Sequence, residues 1–132
     1  MGIVIVSHSS ALATGVVELA AQMAGPALSL TAVGGAPTGG LGTDADRIAS
    51  AIAAADSGAG VLVIGDLGSA ILATETAIET MSAGTAPRVR ISGGPIVEGA
   101  VLAAVQASIG ESLDEVLAAA ESARDLDKGV GR

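Results

Sequence analysis

The sequence predicts an α/β fold of three layers, with a central four-stranded parallel sheet and helices on both faces. Two observations predict it. Four short runs rich in β-branched residues read as strands, and the first and third of them, GIVIV and GVLVIG, are unbroken apolar runs, the pattern of strands buried on both sides. Between them lie alanine-rich stretches whose larger apolar residues recur at helical spacing, as the right-handed crossovers of a parallel sheet require.

Taken in order, GIVIV (2–6) is the first buried strand. Leu12, Val16, Leu19 and Met23 then mark a helix that Ala-Gly-Pro at 24–26 stops. LSLTAV (28–33) is the second strand, running into the glycine loop GGAPTGGLG. Thr43, with Asp46 three residues on, predicts a capping-box start for a helix bearing Ile48 and Ile52. GVLVIG (60–65) is the third strand, and Asp66-Leu67-Gly68-Ser69 leads into a helix with Ile71, Ile78 and Met81. RVRIS (88–92) is a shorter fourth strand, followed by Gly-Gly-Pro and a helix with Val97, Val101, Val105 and Ile109. A last helix opens at Ser112, capped with Glu115. No linker or repeat divides the chain, so residues 1–125 are expected to form one domain and 126–132 a frayed tail.

Composition narrows the function. The chain of 132 residues carries 14 Asp and Glu against 6 Lys and Arg, a net charge of -8. Such a balance is repelled by phosphate backbones and anionic lipid, so no nucleic-acid or membrane partner is expected. There is no aromatic ring on which to stack a sugar or base. The absence of cysteine removes disulfides, thiolate catalysis and cysteine-based zinc sites. The opening MGIVIVSHSS lacks a basic leader and its apolar run is too short to span a bilayer, so a cytoplasmic protein is expected.

In open parallel sheets ligands bind beyond the carboxyl ends of the strands. Those ends are Ser7-His8-Ser9-Ser10, the loop at 34–43, Asp66-Leu67-Gly68-Ser69 and Ser92-Gly93-Gly94-Pro95. The only histidine of the chain and a carboxylate both stand on this edge. Asp66 can hold one ring nitrogen of His8 as N–H and leave the other with its lone pair, the service a carboxylate performs beside any working imidazole. Adjacent strands lie about 4.8 Å apart, so the two side chains meet if the first and third strands are neighbours. Both loops enter helices, whose leading N–H groups and nearby hydroxyls favour an anion. Ser9, Ser10, Thr43, Gly68 and Ser69 are the candidates for a phosphate cradle, and the constellation points to a phosphoryl group carried on His8. Each residue also has a plainer reading. His8 can cap a carbonyl, Asp66 can cap the following helix, and each hydroxyl is by itself more often a cap than a ligand.

Rival chemistries fail on inventory. A P-loop needs a lysine after its glycines, and the only lysine is Lys128. GLGTDA (40–45) fits the loose dinucleotide pattern but follows the second strand through a long loop. A receiver domain would carry paired acids where Ser-His stands. Ser69, His8 and Asp66 can assemble a hydrolase triad, but no G-x-S-x-G elbow is present, and one aspartate is hard pressed to serve both the histidine and a turn. Asp44, Asp46 and Asp66 lack the clustered spacing of a magnesium site, and no metal is expected.

The stretches IVIVSHSSALATGVVELAAQM, GLGTDADRI, VLVIGDLGSAILATETAIE and GGPIVEGAV together resemble the mannose-type enzyme IIA domains of the phosphotransferase system. They are most similar to the branch that serves phosphoenolpyruvate-dependent dihydroxyacetone kinase. The resemblance covers about residues 1–125. Sugar-transport members usually have glycine after the active histidine; Ser9 stands there in this chain, which favours the kinase branch. The resemblance implies a sheet in the order 2-1-3-4 and a homodimer. It also implies that His8, oriented by Asp66, accepts a phosphoryl group from the phosphorylated carrier protein HPr and passes it to ADP on the kinase subunit. The ATP so formed phosphorylates dihydroxyacetone held covalently on a third subunit. No tightly bound cofactor is implied, the phosphoryl group deriving from phosphoenolpyruvate by way of HPr. Some members carry their own HPr-like and enzyme I-like domains; here separate proteins are expected to supply both. The alternatives are a mannose-type enzyme IIA that serves a sugar-transport enzyme IIB, and a non-catalytic binding module in which His8 is never modified.

Overall fold

The computed structural model describes all residues except Ser82, Thr85 and Arg132, and for Pro87 the backbone alone. Four parallel strands, β1 (Gly2–Ser7), β2 (Ser29–Gly34), β3 (Val61–Gly65) and β4 (Val89–Ser92), form one sheet in the order β2-β1-β3-β4. The helices are α1 (Ser10–Ala21), α2 (Ala45–Ala55), α3 (Gly68–Glu79), α4 (Ile96–Ser108) and α5 (Leu113–Ser122), with short 3-10 turns at Ala86–Arg88 and Ala123–Asp125. The predicted class and strand order are both present.

The two central strands are buried along their whole length, which is why they read as unbroken apolar runs. Successive residues face opposite layers. Ile3, Ile5, Leu62 and Ile64 pack against α1, α4 and α5, while Val4, Val6, Val61 and Val63 pack against α2 and α3. Burying a side chain of this size is worth about 1.5–3 kcal/mol, so these eight residues anchor both halves of the core.

α1 and α4 meet the sheet mainly through small residues, whereas α2 brings Ile48 and Ile52 to it. α4 buries Gly99, Ala100, Ala103 and Ala104, and α1 buries Ala13, Val16 and Ala20. Val16 apart, the larger residues that announced α1 stand elsewhere, as do two of those that announced α4: Leu12, Leu19, Met23, Val97 and Ile109 are exposed. Close approach explains it. A Cβ on Gly99 would lie 3.3 Å from the Ala120 carbonyl oxygen, and one on Gly94 only 2.3 Å from it, so the α4–α5 pair has no room for larger groups.

One cap differs from expectation. Asp44, not Thr43, is the N-cap of α2, its carboxylate accepting the Asp46 N–H at 3.2 Å. The short Asp side chain reaches the backbone two residues on, so the Thr43–Asp46 box does not form. The Ser112–Glu115 capping box of α5 does form. The fourth strand begins at Val89 rather than Arg88, which belongs to the preceding turn. In the expected tail, Lys128 Nζ pairs with Glu98 at 2.8 Å; its last residue, Arg132, lies outside the described residues. Among the described residues no helix is long and apolar enough to cross a membrane.

Candidate active site

His8 leaves the carboxyl end of β1 and Asp66 that of β3. Since Val6 pairs with Gly65 across these neighbouring strands, the two side chains come together at the edge of the sheet. Asp66 Oδ1 lies 3.0 Å from His8 Nδ1 and accepts the Leu67 N–H at 2.7 Å. Its Oδ2 accepts from Ser7 Oγ at 2.8 Å and from the His8 backbone N–H at 3.0 Å. Burial raises the Asp66 pKa, but the bonds from the His8 backbone, Ser7, the imidazole and the Leu67 backbone outweigh it and hold the carboxyl below its ordinary value. Asp66 is therefore a carboxylate, able only to accept, and the proton it faces belongs to Nδ1.

Nε2 then keeps its lone pair, and Ser69 Oγ lies 2.6 Å from it, with the hydroxyl donating. The His8 side chain retains 26% exposure against 10% for Asp66, so the carboxylate lies beneath the ring and the imidazole at the surface. Asp66, His8 and Ser69 thus stand in the order of a hydrolase triad. The objection that one aspartate cannot serve both histidine and turn is overturned, because the two carboxylate oxygens divide four donors between them. Nor does Asp66 cap the helix: Leu67 is the N-cap of α3 and no side chain caps it. The leading N–H groups of α3 are thereby left available beside the ring. A Cβ on Gly68 would meet nothing within 4 Å, so space is open above this turn.

The other cradle candidates divide. Ser9 is the N-cap of α1, its hydroxyl accepting the Leu12 N–H at 3.1 Å. Ser10 opens α1 and Thr43 follows the glycine loop; among the described residues neither side chain bonds to His8 or Asp66. The glycine loop itself does reach the site. Gly42 N–H donates to the His8 carbonyl at 2.8 Å, and a Cβ on Gly34 would lie 2.6 Å from the Ser9 carbonyl oxygen.

Two participants escaped the sequence reading. Ser7, fully buried, ties Asp66 Oδ2 to the backbone N–H of Ser9 at 3.0 Å. A serine ending an otherwise apolar buried strand must find partners, and that was its signal. Arg47 sends its guanidinium to the carbonyls of Gly35 (3.1 Å) and Gly34 (3.5 Å), a contact that no local pattern announces. Among the described residues no cluster of three or more acids and histidines is placed to hold a metal.

Fold and site define a domain in which a carboxylate-oriented histidine stands at the carboxyl edge of a parallel sheet. The family model EIIA-man, described as the PTS system fructose IIA component, matches residues 2–117. The phosphoryl donor subunit DhaM of a PEP-dependent dihydroxyacetone kinase from Providencia stuartii is 39% identical over 126 residues, 93% of this chain and 26% of that protein. A second such DhaM, from Listeria innocua, is 37% identical over 117 residues, covering 89% of this chain and 94% of its own. A crystal structure titled as the unknown function protein EF1359 superposes with a TM-score of 0.83 at 34% identity, covering 92% of both chains. The chain belongs to the mannose-type enzyme IIA family, among its DhaM subunits. It spans about a quarter of the length of the Providencia relative and of two others, from Klebsiella michiganensis and Escherichia coli.

Proposed function

We propose that the protein is a cytoplasmic phosphohistidine carrier: it accepts a phosphoryl group from phospho-HPr on His8 Nε2 and passes it to ADP bound on the kinase subunit of a dihydroxyacetone kinase. The observation that carries this reading is the Asp66–Nδ1 contact of 3.0 Å, which leaves Nε2 as the surface-facing nucleophile. In the first step the Nε2 lone pair attacks phosphorus, and the N–P bond to the donor's imidazole breaks, its electron pair returning to that ring. The positive charge developing on His8 is met by the Asp66 carboxylate. The Ser69 hydroxyl turns from Nε2 to a phosphoryl oxygen, beside the uncapped N–H groups of α3. In the second step a terminal oxygen of ADP attacks the same phosphorus, the Nε2–P bond breaks, and ATP and neutral His8 result. Both transfers rest on in-line positioning and charge stabilisation, which an exposed edge provides to partner proteins.

A homodimer belongs to the same proposal. α1 and α4 lie side by side, and Leu19 and Val97 on them, with Met23 and Ile109 just past their carboxyl ends, expose apolar surface for a second copy. The hydrolase reading is weaker, because Ser69 stands inside the first turn of α3 rather than on a strained strand-to-helix elbow. The test is mass spectrometry after incubation with phosphoenolpyruvate, enzyme I and HPr. An acid-labile phosphate on His8 is expected; an unmodified His8 would leave a binding module.

A further inference from the structure

The glycine loop and the first turns of α1 and α2 enclose an open cavity of about 440 Å³ beside the His8 edge. Ser10, Gly34, Gly35, Pro37, Gly39 and Arg47 line it. Arg47 is unusual among the cations of this acidic chain. Arg88 pairs with Asp56, Arg90 with Asp114, Arg124 with Glu121 and Lys128 with Glu98. Among the described Arg and Lys side chains, Arg47 alone has no carboxylate partner. It also sits in the first turn of α2, where the helix dipole disfavours a cation. Its guanidinium is held by two neutral carbonyls, those of Gly34 and Gly35, which leave its remaining N–H donors and its full charge unneutralised. The Ser10 hydroxyl on the same wall makes no hydrogen bond among the described residues. Asp46 lines a separate cavity that Arg47 also borders, so an anion is favoured on the Ser10 side.

We propose that this cavity is a second phosphate subsite, served by Arg47 and the Ser10 hydroxyl, for a substrate that carries two linked phosphates. A guanidinium fork matches phosphate oxygens and binds them through charge-assisted hydrogen bonds. The loop brings the subsite next to the phosphoryl position, since Gly34 packs on the Ser9–Ser10 backbone and Gly42 holds the His8 carbonyl. That one phosphate faces His8 while the other occupies the subsite rests on the phosphohistidine reading; the anion site itself does not.

The test is a titration of backbone amides and the Arg47 Nε–H by ¹H–¹⁵N correlation spectra, with pyrophosphate and with inorganic phosphate as probes. Saturable shifts at Gly35, Gly39 and Arg47 are expected, with pyrophosphate binding at least tenfold tighter than phosphate. Arg47→Gln should weaken pyrophosphate at least tenfold, and Arg47→Lys by less. Because the titration involves no phosphoryl transfer, failure of the carrier reading leaves this result standing. Shifts confined to His8–Ser9 and Gly68–Ser69, binding that survives Arg47→Gln, or no saturation with either anion would overturn the subsite.

Discussion

Asp66→Asn separates an orienting carboxylate from a mere turn former. The native carboxylate divides four donors, with His8 Nδ1 and the Leu67 N–H on Oδ1, and Ser7 Oγ and the His8 N–H on Oδ2. Asparagine has one oxygen and an NH₂ in the same volume, so it has two ways to sit, both worse. With its oxygen toward the ring, Nδ1–H is still accepted, but the NH₂ opposes the His8 backbone N–H and the negative charge under the imidazole is gone. With its NH₂ toward the ring, Nδ1 must supply a lone pair, the proton moves to Nε2, and the nucleophile is lost; the Leu67 N–H is then opposed instead. Either arrangement leaves a backbone donor without a partner, a cost of about 1–3 kcal/mol in stability. For transfer, the same change in a hydrolase triad costs about 10⁴-fold. His8 is more open to water than a buried triad, so a loss of at least about 10²-fold is expected, equivalent to about 2.7 kcal/mol of barrier. Single-turnover transfer from phospho-HPr measures it, with HPr affinity determined separately and expected to be unchanged, since Asp66 lies beneath the ring. A near-normal rate, with phosphate still on His8, would refute the orienting role.

Four further outcomes are expected. His8→Ala should abolish phosphoryl acceptance while changing thermal stability little, because the ring is partly exposed and bonds only at the edge; phosphate found on a serine would contradict it. Ser69→Ala removes one hydrogen bond and should change the transfer rate by no more than about tenfold, with the label still on His8; complete loss would make Ser69 the covalent site. Gly34→Ala drives a Cβ to 2.6 Å from the Ser9 carbonyl oxygen, backbone against backbone, and should cost about 1–3 kcal/mol in denaturant unfolding and slow transfer as well. Finally, the Asp66 pKa is lowered in the folded state, so its contribution to stability is present above the unfolded-state value of about 3.9 and fades only as pH falls through its lower folded value. The stability gap between wild type and Asp66→Asn should therefore persist at pH 4 and close in stronger acid, as followed by acid-titrated unfolding.

What the sequence made legible follows from which forces are local. Strands buried on both faces have no choice of composition, so residues 2–6 and 60–65 could be read directly, and with them the edge where His8 and Asp66 stand. The Ser112–Glu115 box was legible because both of its bonds lie within four residues. The faces of α1 and α4 were not, because alanine and glycine carry almost no periodic signal and their burial is decided by how closely α5 and the sheet approach. The same holds for Arg47 and Ser7, whose partners are chosen by loop closure and strand pairing at sequence separations of 13 and 59 residues.

The location of the chemistry follows from the strand order rather than from any single residue. From β1 the chain crosses to β2 on one side and later returns to place β3 on the other, so the connections leaving β1 and β3 diverge toward opposite layers, α1 to one and α3 to the other. A crevice must open between two such connections, and the first residues past the two strand ends are the ones that face each other across it. Those residues are His8 and Asp66. Two consequences meet there. The carboxylate is held by two backbone donors that the strand ends supply, and these, with the Ser7 hydroxyl and the imidazole, depress its pKa. The imidazole, one atom layer farther out, has nothing above Nε2 but a rotatable hydroxyl and the open turn at Gly68. An imidazole oriented from below and uncovered from above fits the proposed carrier role, in which another protein's active site must reach it, and that role needs neither a lid nor an aromatic wall. That suits a chain whose largest concession to its function is leaving one histidine at the rim of an otherwise aliphatic sheet.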